Sequence, residues 1–161
     1  MALSDVSNIL WRERQLLELL VFKLEEEQLV LAAGRSRWLA YATREVENVL
    51  EEIKRVELER AIQVADAGRE LGLSGSPSLR ELSALTAAPW DSIFVEHRRA
   101  LLALAQEIET ITRSNRELLQ RGQQAAREAI IAMGEIDIDA YDSHGSLPDR
   151  TLALRIVDEA I

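Results

Sequence analysis

The chain has no cysteine, so disulfides and thiolate metal sites are excluded. Aromatic residues make up only 4% of its 161 positions against 47% for apolar residues as a whole, so aliphatic side chains must build the core. No apolar run reaches the ~18 residues that suggest a membrane span. The opening MALSDVSNILWRERQ lacks the basic start, apolar stretch and small-residue cleavage site of a signal peptide, which points to a cytoplasmic chain. Positive charge is also scarce. The formal net charge is −9 and no basic cluster stands out, which argues against nucleic acid as a partner, since affinity there comes largely from Lys and Arg meeting phosphates. Acid is densest at the end, where residues 134–161 carry seven acids and two bases.

Three prolines and seven glycines leave long uninterrupted stretches, and these carry helical periodicity. In the first stretch, about 4–33, Leu3, Val6, Leu10, Leu17, Leu20, Leu24 and Leu31 recur at three- and four-residue spacing. Glu13 and Glu27 interrupt that stripe, and EEE at 25–27 reads as part of a solvated side. Gly34 is a credible stop. In the second stretch, about 37–71, Leu39, Ala42, Val46, Val49, Ile53 and Val56 form the stripe, and Ala61, Val64, Gly68 and Leu71 continue it after a shift in register. The short AGRSR connection predicts an antiparallel hairpin. GLSGSPS is a loop, and Ser78 three residues before Glu81 has the pattern of a capping box opening a short helix over 79–85.

The last periodic stretch, 89–133, alternates by four and three through Trp90, Phe94, His97, Leu101, Leu104, Ile108, Ile111, Asn115, Leu118, Gly122, Ala125, Ala129 and Ala132. A helix of this length spans ~65 Å, too long for a compact ball. The expected fold is all-α: an elongated antiparallel three-helix bundle or coiled coil over 1–133, a short extra helix in the second loop, and a flexible, disordered acidic tail over 134–161.

The chain offers little for catalysis. Its two histidines, His97 and His144, lack the Glu-x-x-His setting of a di-iron bundle, because Phe94 and Tyr141 stand three residues before them. No HExxH, P-loop, GxGxxG or G-x-S-x-G motif occurs. DIDAYDSHG at 137–145 lacks the spacing and closing Glu of an EF-hand. The expectation is no enzyme activity, no cofactor and no metal. His97 reads as a half-buried histidine at a bundle end, and Trp11, Trp38 and Trp90 as plugs at helix ends. Asn115 on the seam either sets register or serves recognition. Gly122, Ala125, Ala126, Ala129, Ile130, Ala132 and Met133 form a seam of small residues with adaptable Ile and Met beside it. Either this chain's own hairpin packs there, or a partner's amphipathic helix does.

Taken in order, LLELLVFKLEEEQLVLAAG (16–34), WLAYATREVENVLEEIKRVELERA (38–61), LGLSGSPSLREL (71–82), IETITRSNRELLQRG (108–122) and AYDSHG (140–145) resemble the FlgN family of flagellar type III export chaperones. The resemblance implies a small acidic cytoplasmic chaperone that binds hook-associated proteins of the hook–filament junction. It would keep their C-terminal helical segments from assembling prematurely and deliver them to the export gate. It implies partner binding at Asn115, Leu118 and Leu119, with the small-residue seam Gly122, Ala126, Ala129, Ile130 and Met133 added, and a contact of Tyr141 with an export-gate component. The protein would be a monomer or weak oligomer. The rival reading is a self-associating coiled-coil scaffold or adaptor in which Asn115 specifies pairing of like helices.

Overall fold

The computed structural model describes residues 2–133. Four helices follow one another: α1 Ala2–Ala32, α2 Ser36–Glu70, α3 Leu79–Leu85 and α4 Trp90–Ala132. No strand occurs among the described residues, and the fold is an all-α bundle. The acidic stretch over 134–161, with Tyr141 and the expected flexible tail, lies outside the described residues.

The three long helices run up, down and up. Arg12 meets Glu59 and Lys23 meets Glu45, so α1 and α2 are antiparallel. Ser7 meets His97 and Gln28 meets Ser114, so α1 and α4 are parallel. α1 packs closely along both of the others, while α2 and α4 approach each other little. Serving two neighbours is why the apolar face of α1 is broader than a two-stranded seam needs. Val6, Leu10, Leu17, Leu20 and Leu24 of α1 share one core with Val46, Val49 and Ile53 of α2 and with Phe94, Leu101 and Ile108 of α4. Each such side chain contributes ~1.5–3 kcal/mol on burial.

Local chemistry ends the helices where the sequence places its glycines. Gly34 takes a positive φ of 64°, and the N–H groups of Gly34 and Arg35 close back onto the carbonyls of Leu31 and Val30. This Schellman arrangement satisfies the last carbonyls of α1 and turns the chain into α2. Gly68 has a different task. A Cβ there would stand 2.8 Å from the Gly75 carbonyl oxygen and 2.9 Å from Pro77 Cδ, so the following loop folds back against bare helix backbone. Ser78 then caps α3, its hydroxyl accepting from the Glu81 N–H while the Glu81 carboxylate accepts from the Ser78 N–H. α3 buries Leu79 and Leu82 and packs on α4.

The structure departs from the sequence expectation where the seam takes in charged residues. Glu27 is buried rather than part of a solvated side, and Glu13, which interrupts the α1 stripe, is buried as well. On α2 the stripe does not shift to Ala61, which is exposed; it continues through buried Arg60 to Val64 and Ala67. The reason is mutual. Arg60 Nη1 donates to both carboxylate oxygens of Glu13, each at 2.9 Å. Glu27 accepts from Thr43 Oγ1 at 3.1 Å and from Asn115 Nδ2 at 3.2 Å. Charges that look like interruptions in one helix are tolerated inside because another helix brings the matching group.

Candidate recognition surfaces

α4 outruns its neighbours. Gln28 Nε2 donates to Ser114 Oγ at 2.9 Å, and α1 ends one turn later at Ala32. Because α1 and α4 are parallel, that end lies level with about Leu118. α2 starts beside it, at Ser36, and runs back the other way. The rest of α4, from Gln120 to Ala132, continues ~20 Å past the bundle.

The same face of α4 is thereby buried below and bare above. Asn115 is 2% exposed, and its Nδ2 donates to the Leu24 carbonyl at 2.9 Å as well as to Glu27. Leu118 and Leu119 are half-buried where α1 stops. Gly122, Ala126, Ala129 and Met133 then carry that face outward at helical spacing, with Ile130 beside them. Residues 121–129 are all exposed, Ile130 is half-buried, and Met133 is 68% exposed. A Cβ on Gly122 would meet nothing within 4 Å. Among the described residues no helix of this chain fills the small-residue seam, which decides against the hairpin alternative. Ile131, 58% exposed on the far side of α4, was not singled out by its sequence position.

A second surface lies near the other end, between α1 and α4. Ser7, Trp11 and Arg14 face Ser92, Glu96 and His97 across a cleft of about 270 Å³. His97 is 1% exposed rather than half-buried, with Nε2 3.1 Å from Ser7 Oγ and Nδ1 without a hydrogen bond. Burial, helped by the Arg14 charge, pushes its pKa down to about 4, so the ring is neutral at physiological pH. Trp11 stands edge-on to it at 5.2 Å and carries the Arg14 guanidinium 4.2 Å over its own ring. The tryptophans are not all plugs: Trp11 is 51% exposed, Trp38 lies against Tyr41 and Arg37 at the surface, and only Trp90, stacked on Phe94, turns inward. The sequence signal for this cleft is Trp11 and Arg14 at i, i+3, which share a helix face.

Between these surfaces lies a buried charge cluster. Burial raises the Glu13 carboxyl against the pull of Arg60. Burial, then the Glu13 charge, pushes neighbouring Glu57 up to about 7. One carboxylate oxygen of Glu57, Oε1, has no hydrogen bond. The cluster joins α1 to α2. Among the described residues no three His, Asp or Glu side chains converge as a metal would require. No helix among them is long and apolar enough to cross a membrane.

No significant match is found among curated proteins or solved structures. The family model described as FlgN protein matches residues 1–149, nearly the whole chain. With three long helices in the expected order and a final helix that leaves its bundle, the chain belongs to the FlgN family of flagellar export chaperones.

Proposed function

We propose that this protein is a cytoplasmic chaperone for hook-associated proteins, and that it holds their C-terminal helical segments on the free end of α4. The observation that carries the reading is the stretch of α4 past Leu118, whose apolar face continues the core face of the bundle yet is covered by no other helix among the described residues. An amphipathic helix laid there would bury its apolar side against Gly122, Ala126, Ala129, Ile130 and Met133. Small side chains let the two backbones approach closely, and Met133 adapts its shape to different clients. Covering the client's apolar face would block the contacts it uses to assemble. Leu118 and Leu119 would form the floor of the site. Asn115, turned into the bundle, would act by locking α4 against Leu24 and Glu27, so that the free end projects at a fixed angle.

The mechanism needs no bond chemistry and no cofactor. Capture would be apolar, and release would follow from competition at the export gate, with Tyr141 as the contact there. The test is binding of a client C-terminal peptide by calorimetry. Ala126→Asp with Ile130→Asp and Met133→Asp lies wholly beyond the bundle, so folding should be untouched while affinity falls at least about tenfold, because carboxylates would be desolvated. Leu118→Asp with Leu119→Asp should also weaken binding, with some loss of stability. Normal binding by the first variant would overturn the assignment. If the free protein is a stable dimer that the same variant makes monomeric, the bare stripe pairs with its own copy and the scaffold reading takes its place.

A further inference from the structure

We infer that the cleft between the N-terminal halves of α1 and α4 is a second recognition site, which takes an aspartate or glutamate side chain of a partner polypeptide on Arg14 and Trp11. The site is independent of the free end of α4. His97 and Gly122 are separated by ~38 Å along the helix.

Arg14 differs from several other arginines of the bundle in what it lacks. In a chain with 28 acids and 19 bases, Arg12, Arg55, Arg60 and Arg113 all reach a carboxylate within 3.1 Å. Among the described residues Arg14 has none, and its Nε and Nη1 are buried without a hydrogen bond. Buried donors left unpaired are costly, and an incoming acceptor relieves that cost. The guanidinium carbon lies 4.2 Å from the centre of the Trp11 ring, a cation–π contact that limits the side chain's freedom. One acid lines the cleft, Glu96, and its carboxylate stands 3.8 Å from Arg99. The remaining lining is two hydroxyls, Ser7 and Ser92, the neutral His97 ring, and apolar Trp11 and Ile93. With Ser7 Oγ donating to His97 Nε2, the Nδ1–H of His97 becomes a further unpaired donor. Ser7 and Ser92 donate their hydroxyl protons to His97 and to the Pro89 carbonyl, so the free donors of the cleft are the Arg14 guanidinium and the His97 Nδ1–H, a pair that receives a carboxylate. Half-exposed Trp beside Arg is also the pairing that most often anchors protein contacts, and the indole offers a shelf for the side chain's methylenes.

The test uses the full chain, labelled with ¹⁵N, and the capped dipeptides acetyl-Leu-Glu-amide and acetyl-Leu-Gln-amide. The Trp11 indole resonance, assigned with Trp11→Phe, should shift with the Glu peptide and require at least about fivefold more of the Gln peptide for the same shift. Arg14→Gln should abolish the difference between the two peptides, and Arg14→Lys should keep part of it. Glu96→Gln should leave binding intact or tighten it, because it removes a competing acid. Equal response to both peptides, an unmoved Trp11 resonance, or a loss in Glu96→Gln as large as in Arg14→Gln would each overturn the site.

Discussion

Replacing Glu57 with glutamine should stabilise the protein in alkaline solution and leave it unchanged in acid. The Glu57 carboxyl is buried, lies in the field of Glu13, and is pushed from the ordinary 4.5 to about 7. Between those values the folded protein holds a proton that the unfolded chain has released. Stability therefore declines as pH rises through this window, at up to ~1.4 kcal/mol per pH unit, and levels off once both states are ionised. The accumulated loss is ~3 kcal/mol. Glutamine keeps the shape, cannot ionise, and removes this loss. Urea unfolding followed by far-UV circular dichroism at about pH 4.5 and about pH 8 measures it directly. The two proteins should unfold together at the lower pH, and the variant should gain ~2–3 kcal/mol at the higher. His97 acts in the opposite sense. Its pKa is depressed from 6.5 to about 4, so its contribution is complete above the ordinary value and is lost as pH falls through that range. The two slopes oppose each other where their windows overlap. The wild type should be flatter there than Glu57→Gln, whose remaining histidine makes stability rise with pH. An advantage of Glu57→Gln that is the same at both pH values would refute the reasoning, since only a titrating carboxylate makes the difference depend on pH.

Two further outcomes follow from contacts already described. Asn115→Ala removes the donor to the Leu24 carbonyl and to Glu27, so thermal unfolding should show a loss of ~1–3 kcal/mol even though alanine is the better helix former. Gly68→Ala should also destabilise, measured by melting temperature, although an unobstructed helical glycine would gain up to ~1 kcal/mol from the same change. The added Cβ meets Gly75 backbone at 2.8 Å, which cannot move without shifting the loop.

How much of this could be read from the chain varied with the kind of residue. The leucines and valines of α1 and α2 and the Phe94, Leu101 and Ile108 line of α4 announced themselves by spacing, because burying apolar surface is a one-helix requirement. Gly34 and the Ser78–Glu81 pair were equally plain, since caps are local. Periodicity puts Glu27 on a solvated side and Ala61 rather than Arg60 on the stripe, and it gives no place to Glu13, because the burial of these charges depends on a partner from another helix, which periodicity does not reveal. The burial of Trp11 and His97 differs from expectation for a related reason. Their spacing predicts a half-buried His97 and a Trp11 that plugs an end, whereas the two rings meet on facing flanks of α1 and α4, which buries His97 and leaves Trp11 half-exposed.

The free end of α4 shows where the two kinds of information divide. From Asn115 to Met133 the sequence already held a continuous helical face that changes from large to small side chains, because helical spacing and side-chain size are properties of the chain itself. Whether anything covers that face depends on lengths compared across the fold. α1 stops at Ala32 and α2 begins at Ser36, so the bundle ends near Leu118 while α4 runs on to Ala132. Only the packing of parallel α1 and α4, set at Ser7–His97 and Gln28–Ser114, determines which residues of that face are core and which stand bare.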